Sequence, residues 1–204
     1  MTEKKRSKIT RQLQLYNTVS HIKSGAVYGP SDLMKVFGIS LRMLQRDLKD
    51  LRDCGLINLK YNRVNDRYII GDDTGFDETA PIRRKQHLTR LYRIGTLIHS
   101  LSWISPEEFD SYELGLREYE EYLEYAAEDP ENNTPEDIED MRRFFVNDIT
   151  FYDLKAEYYA LFPDSNERTR QRDFEEMCRA GFEIFYSRTY KSFIYLYQDN
   201  SLFC

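Results

Sequence analysis

The chain has 204 residues, 41% hydrophobic and 31% charged, which is ordinary for a globular protein with room for one large or two small cores. No apolar run approaches the roughly 20 residues that cross a bilayer, and the charged start Met-Thr-Glu-Lys-Lys-Arg-Ser-Lys has no apolar segment behind it. No membrane span and no secretory signal are therefore expected. The net charge of −6 conceals a segregation: residues 1–71 carry 14 Lys and Arg against 6 Asp and Glu, residues 72–165 carry 9 against 23, and residues 166–204 carry 6 against 6. A basic end of this size points to nucleic acid rather than to solvated faces that merely differ in charge. Cys54, Cys178 and Cys204 are too few and too scattered for a disulfide framework or a zinc site. They read as packing residues or a free tail in a reducing, cytoplasmic setting.

Residues 2–8 read as a polar, basic arm. Ile9, Leu13, Tyr16 and Val19 recur at steps of three and four, which predicts an amphipathic helix ending near Ile22. Ala26-Val27-Tyr28 reads as a short extended piece closed by Gly29-Pro30. Ser31 is the expected N-cap of a short second helix, with Leu33, Val36 and Phe37 inward. Gly38 suits the left-handed residue that ends it, and Ser40 caps a third helix. Along that helix, over 40–54, Leu41, Leu44, Leu48 and Leu51 make one stripe, while Arg42, Met43, Gln45, Arg46 and Lys49 face away. After Gly55, Leu56–Tyr61 and Arg67–Ile70 alternate like two strands around a turn at 62–66 with Arg63 at its tip. Helix, helix, tight turn, helix, hairpin is the order of a winged helix-turn-helix, whose third helix enters the major groove.

The stretch Arg42-Met-Leu-Gln-Arg-Asp-Leu-Lys-Asp-Leu-Arg-Asp-Cys-Gly55 recurs 126 residues later as Arg168-Thr-Arg-Gln-Arg-Asp-Phe-Glu-Glu-Met-Cys-Arg-Ala-Gly181. Arg, Gln, Arg, Asp and the closing Gly keep their places. A repeat of this length is a supersecondary unit. The first copy, Gly-Ile-Ser-x-Arg-x-Leu-Gln-Arg-Asp-Leu-x-x-Leu-x-x-x-Gly-Leu-Ile, resembles the reading head of DeoR-type bacterial regulators and the winged-helix domains that precede WYL sensor domains. The second is closer to the WYL-associated form. The resemblance spans about 7–71 and, more loosely, 148–198. It implies sequence-specific DNA binding, often as a dimer. The chain departs from both families in having no recognisable sugar-phosphate effector domain and no Trp-Tyr-Leu sensor motif.

Residues 72–81 read as an acidic linker, followed by a helix from Arg83 to about Leu101 with Leu88, Leu91, Ile94, Leu97 and Ile98 apolar. Ser105-Pro106-Glu107-Glu108 is a helix start with capping-box spacing. Behind it Phe109, Tyr112, Leu116, Tyr119, Leu123 and Ala126 step by three and four. That seam spans under three heptads, which favours packing in the domain's own core over a coiled-coil dimer. Thr134-Pro135-Glu136-Asp137 repeats the start signal, with Ile138, Met141 and Phe145 as the apolar face. A further helix runs through Leu154, Tyr158, Leu161 and Phe162, Asn166 caps the second copy of the motif, and a second hairpin turns at 187–192.

The expected fold is therefore mainly α with small β-hairpin wings: tandem winged helix-turn-helix domains, at 7–71 and 136–204, joined by an acidic helical segment at 72–135 with a dimerising potential. The expected DNA-binding residues are Ser40, Arg42, Met43, Gln45, Arg46 and Lys49 on the third helix, Lys35 beside it, and Lys60, Arg63 and Arg67 on the wing. Arg and Gln make bidentate contacts to guanine and adenine, and the wing and helix-end cations, with Thr10 and Arg11, suit phosphates. The bland alternative for this face is that Asp47 is solvated and Arg46 pairs with Asp50 at i,i+4, a pairing of about 0.3–0.5 kcal/mol that would yield to a phosphate. A second candidate face is Arg168, Thr169, Arg170, Gln171 and Arg172, in a copy where Leu44 has become Arg170 and Ile39 has become Ser165. His21, His87 and His99 are isolated, and there is no phosphate-cradling loop or nucleophile elbow, so no enzyme, metal or cofactor is expected. The expected partner is double-stranded DNA, bound by a transcriptional regulator acting as a homodimer or with two heads on one chain. The alternatives are a plasmid or phage replication initiator with tandem winged helices and a protein–protein adaptor such as a condensin accessory subunit.

Overall fold

The computed structural model describes residues 7–72 and 74–197; most of the expected basic arm, and Cys204, lie outside them. In chain order the elements are α1 (Lys8–Ser20), a 3-10 turn (His21–Ser24), α2 (Pro30–Phe37), α3 (Leu41–Asp53), β1 (Leu59–Asn62), β2 (Arg67–Ile70), α4 (Ile82–Ser100), α5 (Pro106–Glu128), α6 (Pro135–Phe145), α7 (Leu154–Leu161), α8 (Glu167–Arg179), β3 (Glu183–Ser187) and β4 (Ser192–Leu196). The fold is mainly helical, with β1–β2 and β3–β4 as two small hairpins. No described helix is long and apolar enough to cross a membrane. The chain divides into two compact units. One holds the described residues up to Leu101 together with Lys155–Ile184; the other holds Ser102–Leu154 and the described residues from Phe185 onward. These units do not coincide with the spans 7–71, 72–135 and 136–204.

In the first unit the helix ends follow the capping chemistry. Ser7 accepts a hydrogen bond from Thr10 N–H and starts α1. The second helix starts earlier than expected: Gly29, not Ser31, is its N-cap and Pro30 its first residue. The Asp32 carboxylate accepts from Gly29 N–H at 2.8 Å, the N3-to-N-cap half of a capping box, with Pro30 at the first helical position. Gly38 ends α2 at φ 62°, and Ser40 caps α3 by accepting from Met43 N–H. Gly55 at φ 86° closes α3, with Leu56 N–H bonded to Leu51 O. The same devices recur 126 residues on. Asn166 accepts from Thr169 N–H, Gly181 sits at φ 95°, and Phe182 N–H reaches Met177 O.

Leu13, Leu15, Val19, Leu33, Leu44 and Leu51 are fully buried, joined by Leu88, Leu91, Ile94 and Leu97 of α4. Two residues expected inward are not. Val36 is 63% exposed, because a helix of two turns has one inward face and Leu33 with half-buried Phe37 takes it. Leu41 is 43% exposed at the open first turn of α3. In the first hairpin Tyr61 pairs with Tyr68 and Asn62 with Arg67, and Tyr68 N–H also reaches Tyr28 O, which ties the extended piece to the wing. Residues 76–80 of the acidic linker pack against the end of α3. Phe76 bridges to Cys54, Asp77 N–H bonds Asp53 O at 2.8 Å, and Ala80 is buried.

In the second unit the capping boxes at Ser105/Glu108 and Thr134/Asp137 form as the spacing predicts. The helices α5 and α6 pack so closely that a Cβ on Gly115 would lie 2.1 Å from Phe145 O. Ile104, Ile194 and Leu196 make a small core with Phe109, Ile149, Phe151, Phe185 and Tyr190 around it. The α5 seam is spent within the unit: Tyr112 meets the Phe151 ring, and Tyr119 O–H donates to Ile138 O.

Candidate nucleic-acid interface

The helix α3 carries four cations and three carboxylates, and folding sorts them by side. Asp47 and Asp50 are fully buried and Asp53 nearly so. Asp47 accepts from Arg11 Nε at 2.7 Å and from Gln12 Nε2 at 3.1 Å. Asp50 accepts from Gln12 at 2.9 Å and pairs with Lys8 at 2.7 Å and Arg84 at 2.8 Å. Arg84 also reaches Asp53 at 2.9 Å. Burial raises the Asp50 pKa, but the bonds from Lys8 and Gln12 and the charges of Lys8 and Arg84 outweigh it and hold the carboxyl below its usual range. His87 completes the cluster, its Nε2 2.9 Å from Gln12 Oε1. Burial, helped by Lys8, Arg84 and Arg90, pushes its pKa down against the opposing pull of Asp50.

This cluster corrects three readings. Asp47 is an anchor of the core rather than a solvated residue. Asp50 is held by Lys8, Arg84 and Gln12, not by Arg46. Thr10 and Arg11 face inward: Thr10 Oγ1 donates to Glu176 at 2.9 Å, and Arg11 is consumed by Asp47. A carboxylate on a helix reads as a surface residue unless its cation is known, and here the cations come from α1 and α4.

With the acids turned in, the outward face of α3 is strongly basic. Ser40, Arg42, Gln45, Arg46 and Lys49 are exposed and Met43 half-buried, and these six line one surface hollow of about 490 Å³. Among the described residues no ion pair or hydrogen bond engages the side chains of Arg42, Gln45 or Arg46; Lys49 lies 3.8 Å from Asp53, a loose pair. Lys35, Lys60 and Arg63 are exposed, while Arg67 is half-buried beside the turn of the wing, paired with Asn62. At the wing tip Tyr61 O–H donates to Asp66 at 2.6 Å, and Asp66 takes a left-handed φ of 47°. Gly29 lets the tip approach, since a Cβ there would lie 2.7 Å from Asp66 O.

The second copy buries its acids in the same way. Asp173 is fully buried against Arg93 of α4 and accepts from Tyr158 O–H at 2.9 Å; Glu176 is buried against Arg90 at 2.9 Å. Burial, and after it the Asp173 carboxylate, raises the Tyr158 pKa to about 12. Arg170, expected on the second face, is 2% exposed, pairs with Glu167 and lies over the Phe174 ring at 5.1 Å. It fills the inward place of Leu44 with its aliphatic stem and guanidinium plane, so it is not a surface contact. Thr169 is half-buried with its hydroxyl on Asn166, and Gln171 leans on Glu167 at 3.4 Å. Glu167 stands where α3 has Leu41, and Arg170 and Tyr159 hold its pKa down to about 2. Arg168 and Arg172 remain exposed.

Fold and site together define a mainly helical protein with two small hairpins and one helix face from which the acids have been withdrawn. No protein-family model, curated protein or solved structure matches the chain.

Proposed function

We propose that the protein is a sequence-specific double-stranded DNA-binding protein, a transcriptional regulator built from tandem winged helix-turn-helix units, with α3 as the helix that enters the major groove. The sorting of charge on α3 carries this reading. Every carboxylate of the helix is paired inward, while Arg42, Gln45 and Arg46 stand outward without partners among the described residues. Such a face presents donors to an acceptor-rich groove at little cost in broken contacts. Arg42 suits guanine O6 and N7, and Gln45 suits adenine N6 and N7, each good pair discriminating by about 1–3 kcal/mol. Arg46 and Lys49 suit phosphates or a purine edge, and Lys35, Lys60, Arg63 and Arg67 suit the flanking backbone.

Selection from randomised duplexes at several salt concentrations tests the proposal. A motif should be enriched, and log K against log salt should steepen by about 0.9 for each phosphate neutralised. Absence of both enrichment and salt dependence at low ionic strength would refute it. A protein–protein adaptor is the second reading. It is favoured by the exposed apolar residues of the acidic helices α5 and α6, among them Phe144 at 76%, Tyr125 at 63% and Leu114 at 49%. It predicts duplex binding no stronger than that of an unrelated acidic protein.

A further inference from the structure

We infer that the chain is its own dimer. In this inference α4 is the first helix of the second copy, α5 and α6 are inserted behind it, and the outward face of α8 is a second DNA-reading site, so that one chain reads two related but unlike half-sites. The inference rests on the DNA-binding reading of α3. The buried ion pairs carry it. Lys8 and Arg11 of α1 hold Asp50 and Asp47 of α3; Arg90 and Arg93 of α4 hold Glu176 and Asp173 of α8. The cations are shifted by 82 residues and the carboxylates by 126, with the i,i+3 spacing kept on both sides. The same shift of 82 maps buried Ile9, Leu15, Tyr16 and Val19 of α1 onto buried Leu91, Leu97, Ile98 and Leu101. The two shifts differ by 44 residues, close to the length of the segment that holds α5 and α6.

The second head thus finds its first helix far upstream. Its exposure repeats that of the first: Arg168, Gln171 and Arg172 are outward as Arg42, Gln45 and Arg46 are, and positions 170, 173, 176 and 177 are buried as 44, 47, 50 and 51 are. The pair α1 and α4 also crosses over. Arg84 of α4 grips Asp50 of α3, while Thr10 and Gln14 of α1 bond Glu176 and Ala180 O at 2.9 Å. Two heads joined through their first helices in this way have a fixed spacing, as in a two-fold dimer, without the cost of association. The Arg-x-x-Gln-Arg face is common to both, but Leu41 becomes Glu167 and Lys49 becomes Glu175. The two half-sites should therefore share a central element and differ at its edges, with the α8 half contributing less.

The test is selection from randomised duplexes by the intact chain and by Arg168→Ala/Arg172→Ala, both side chains being exposed, with complex mass read by analytical ultracentrifugation. We expect a motif of two related blocks at fixed spacing, bound one chain per duplex. The variant should lose one block and keep the other, and its salt slope should fall by up to about 1.8. A single block, a strict palindrome bound by two chains, or a variant indistinguishable from the parent would overturn the two-headed chain and leave the DNA reading of α3 intact. No enrichment by the parent would overturn both.

Discussion

Removing the guanidinium of Arg11 should be costly in a way that its position on a polar helix face does not suggest. Asp47 has no exposed surface, and its two partners are Arg11 at 2.7 Å and Gln12 at 3.1 Å. In Arg11→Ala the carboxylate keeps one neutral donor and no counter-charge. Breaking a buried pair from one side costs about 3–5 kcal/mol. The Arg11 side chain is 13% exposed, so water can enter where it stood, and the lower end, about 3 kcal/mol, is the expected figure. For a chain of this size that lowers Tm by about 6–12 °C. Arg11→Ala/Asp47→Ala should cost less than the sum of the single changes, since no orphan charge remains. Arg93→Ala should behave like Arg11→Ala, because Asp173 is buried in the same way. Thermal melts followed by circular dichroism give the numbers. A loss of under about 1 kcal/mol, the scale of an exposed pair, would refute the assignment of Asp47 as a buried anchor.

Three further outcomes are expected. Gly115→Ala should destabilise the α5–α6 pair by about 1–3 kcal/mol, because its Cβ would meet Phe145 O, a backbone atom that cannot step aside; Gly95→Ala meets only the Leu56 side chain and should cost less. Unchanged hydrogen exchange in both helices of Gly115→Ala would contradict this. The His87–Gln12–Asp50 cluster makes stability fall with acid in two steps. Both pKa values are depressed in the folded chain, so the His87 contribution is whole above 6.5 and declines as pH drops below it, and the Asp50 contribution is whole above 3.8 and declines below that. His87→Gln should shrink the first step in a series of melts without removing it, because burial also depresses His99; a variant whose melts track the parent at every pH counts against it. Ser40→Ala should cost about 1 kcal/mol through the lost cap of α3, and an unchanged melt would show that the cap is not what starts this helix.

Much of the fold was legible because helix ends are written in small residues. Ser40, Gly38, Gly55, Asn166 and Gly181 do what their chemistry predicts. The outward face of α3 was legible too, since Arg42, Gln45 and Arg46 fall opposite the leucine stripe. What escaped was the other side of the charge ledger. Asp47, Asp50, Asp173 and Glu176 look like solvated residues until partners arrive from helices far away in sequence. One signal was available: two basic residues three apart at 8 and 11, and again at 90 and 93, each matched to two acids three apart. A single offset of 126 hides it, because α1 and α4 repeat at 82. Arg170 escaped for a different reason. A stem of methylenes and a flat guanidinium over Phe174 can replace a buried leucine, which residue type alone does not reveal.

Crosslinking from α3 tests the central claim most directly. A photoactivatable side chain at position 45 sits in the middle of the basic face, and one at position 121 sits on exposed α5. On the duplex enriched by selection, position 45 should crosslink to bases in the major groove within one block of the motif, and Arg42→Ala/Arg46→Ala should abolish it. Crosslinks from position 121 with none from position 45 would contradict the account and move the DNA contact away from α3.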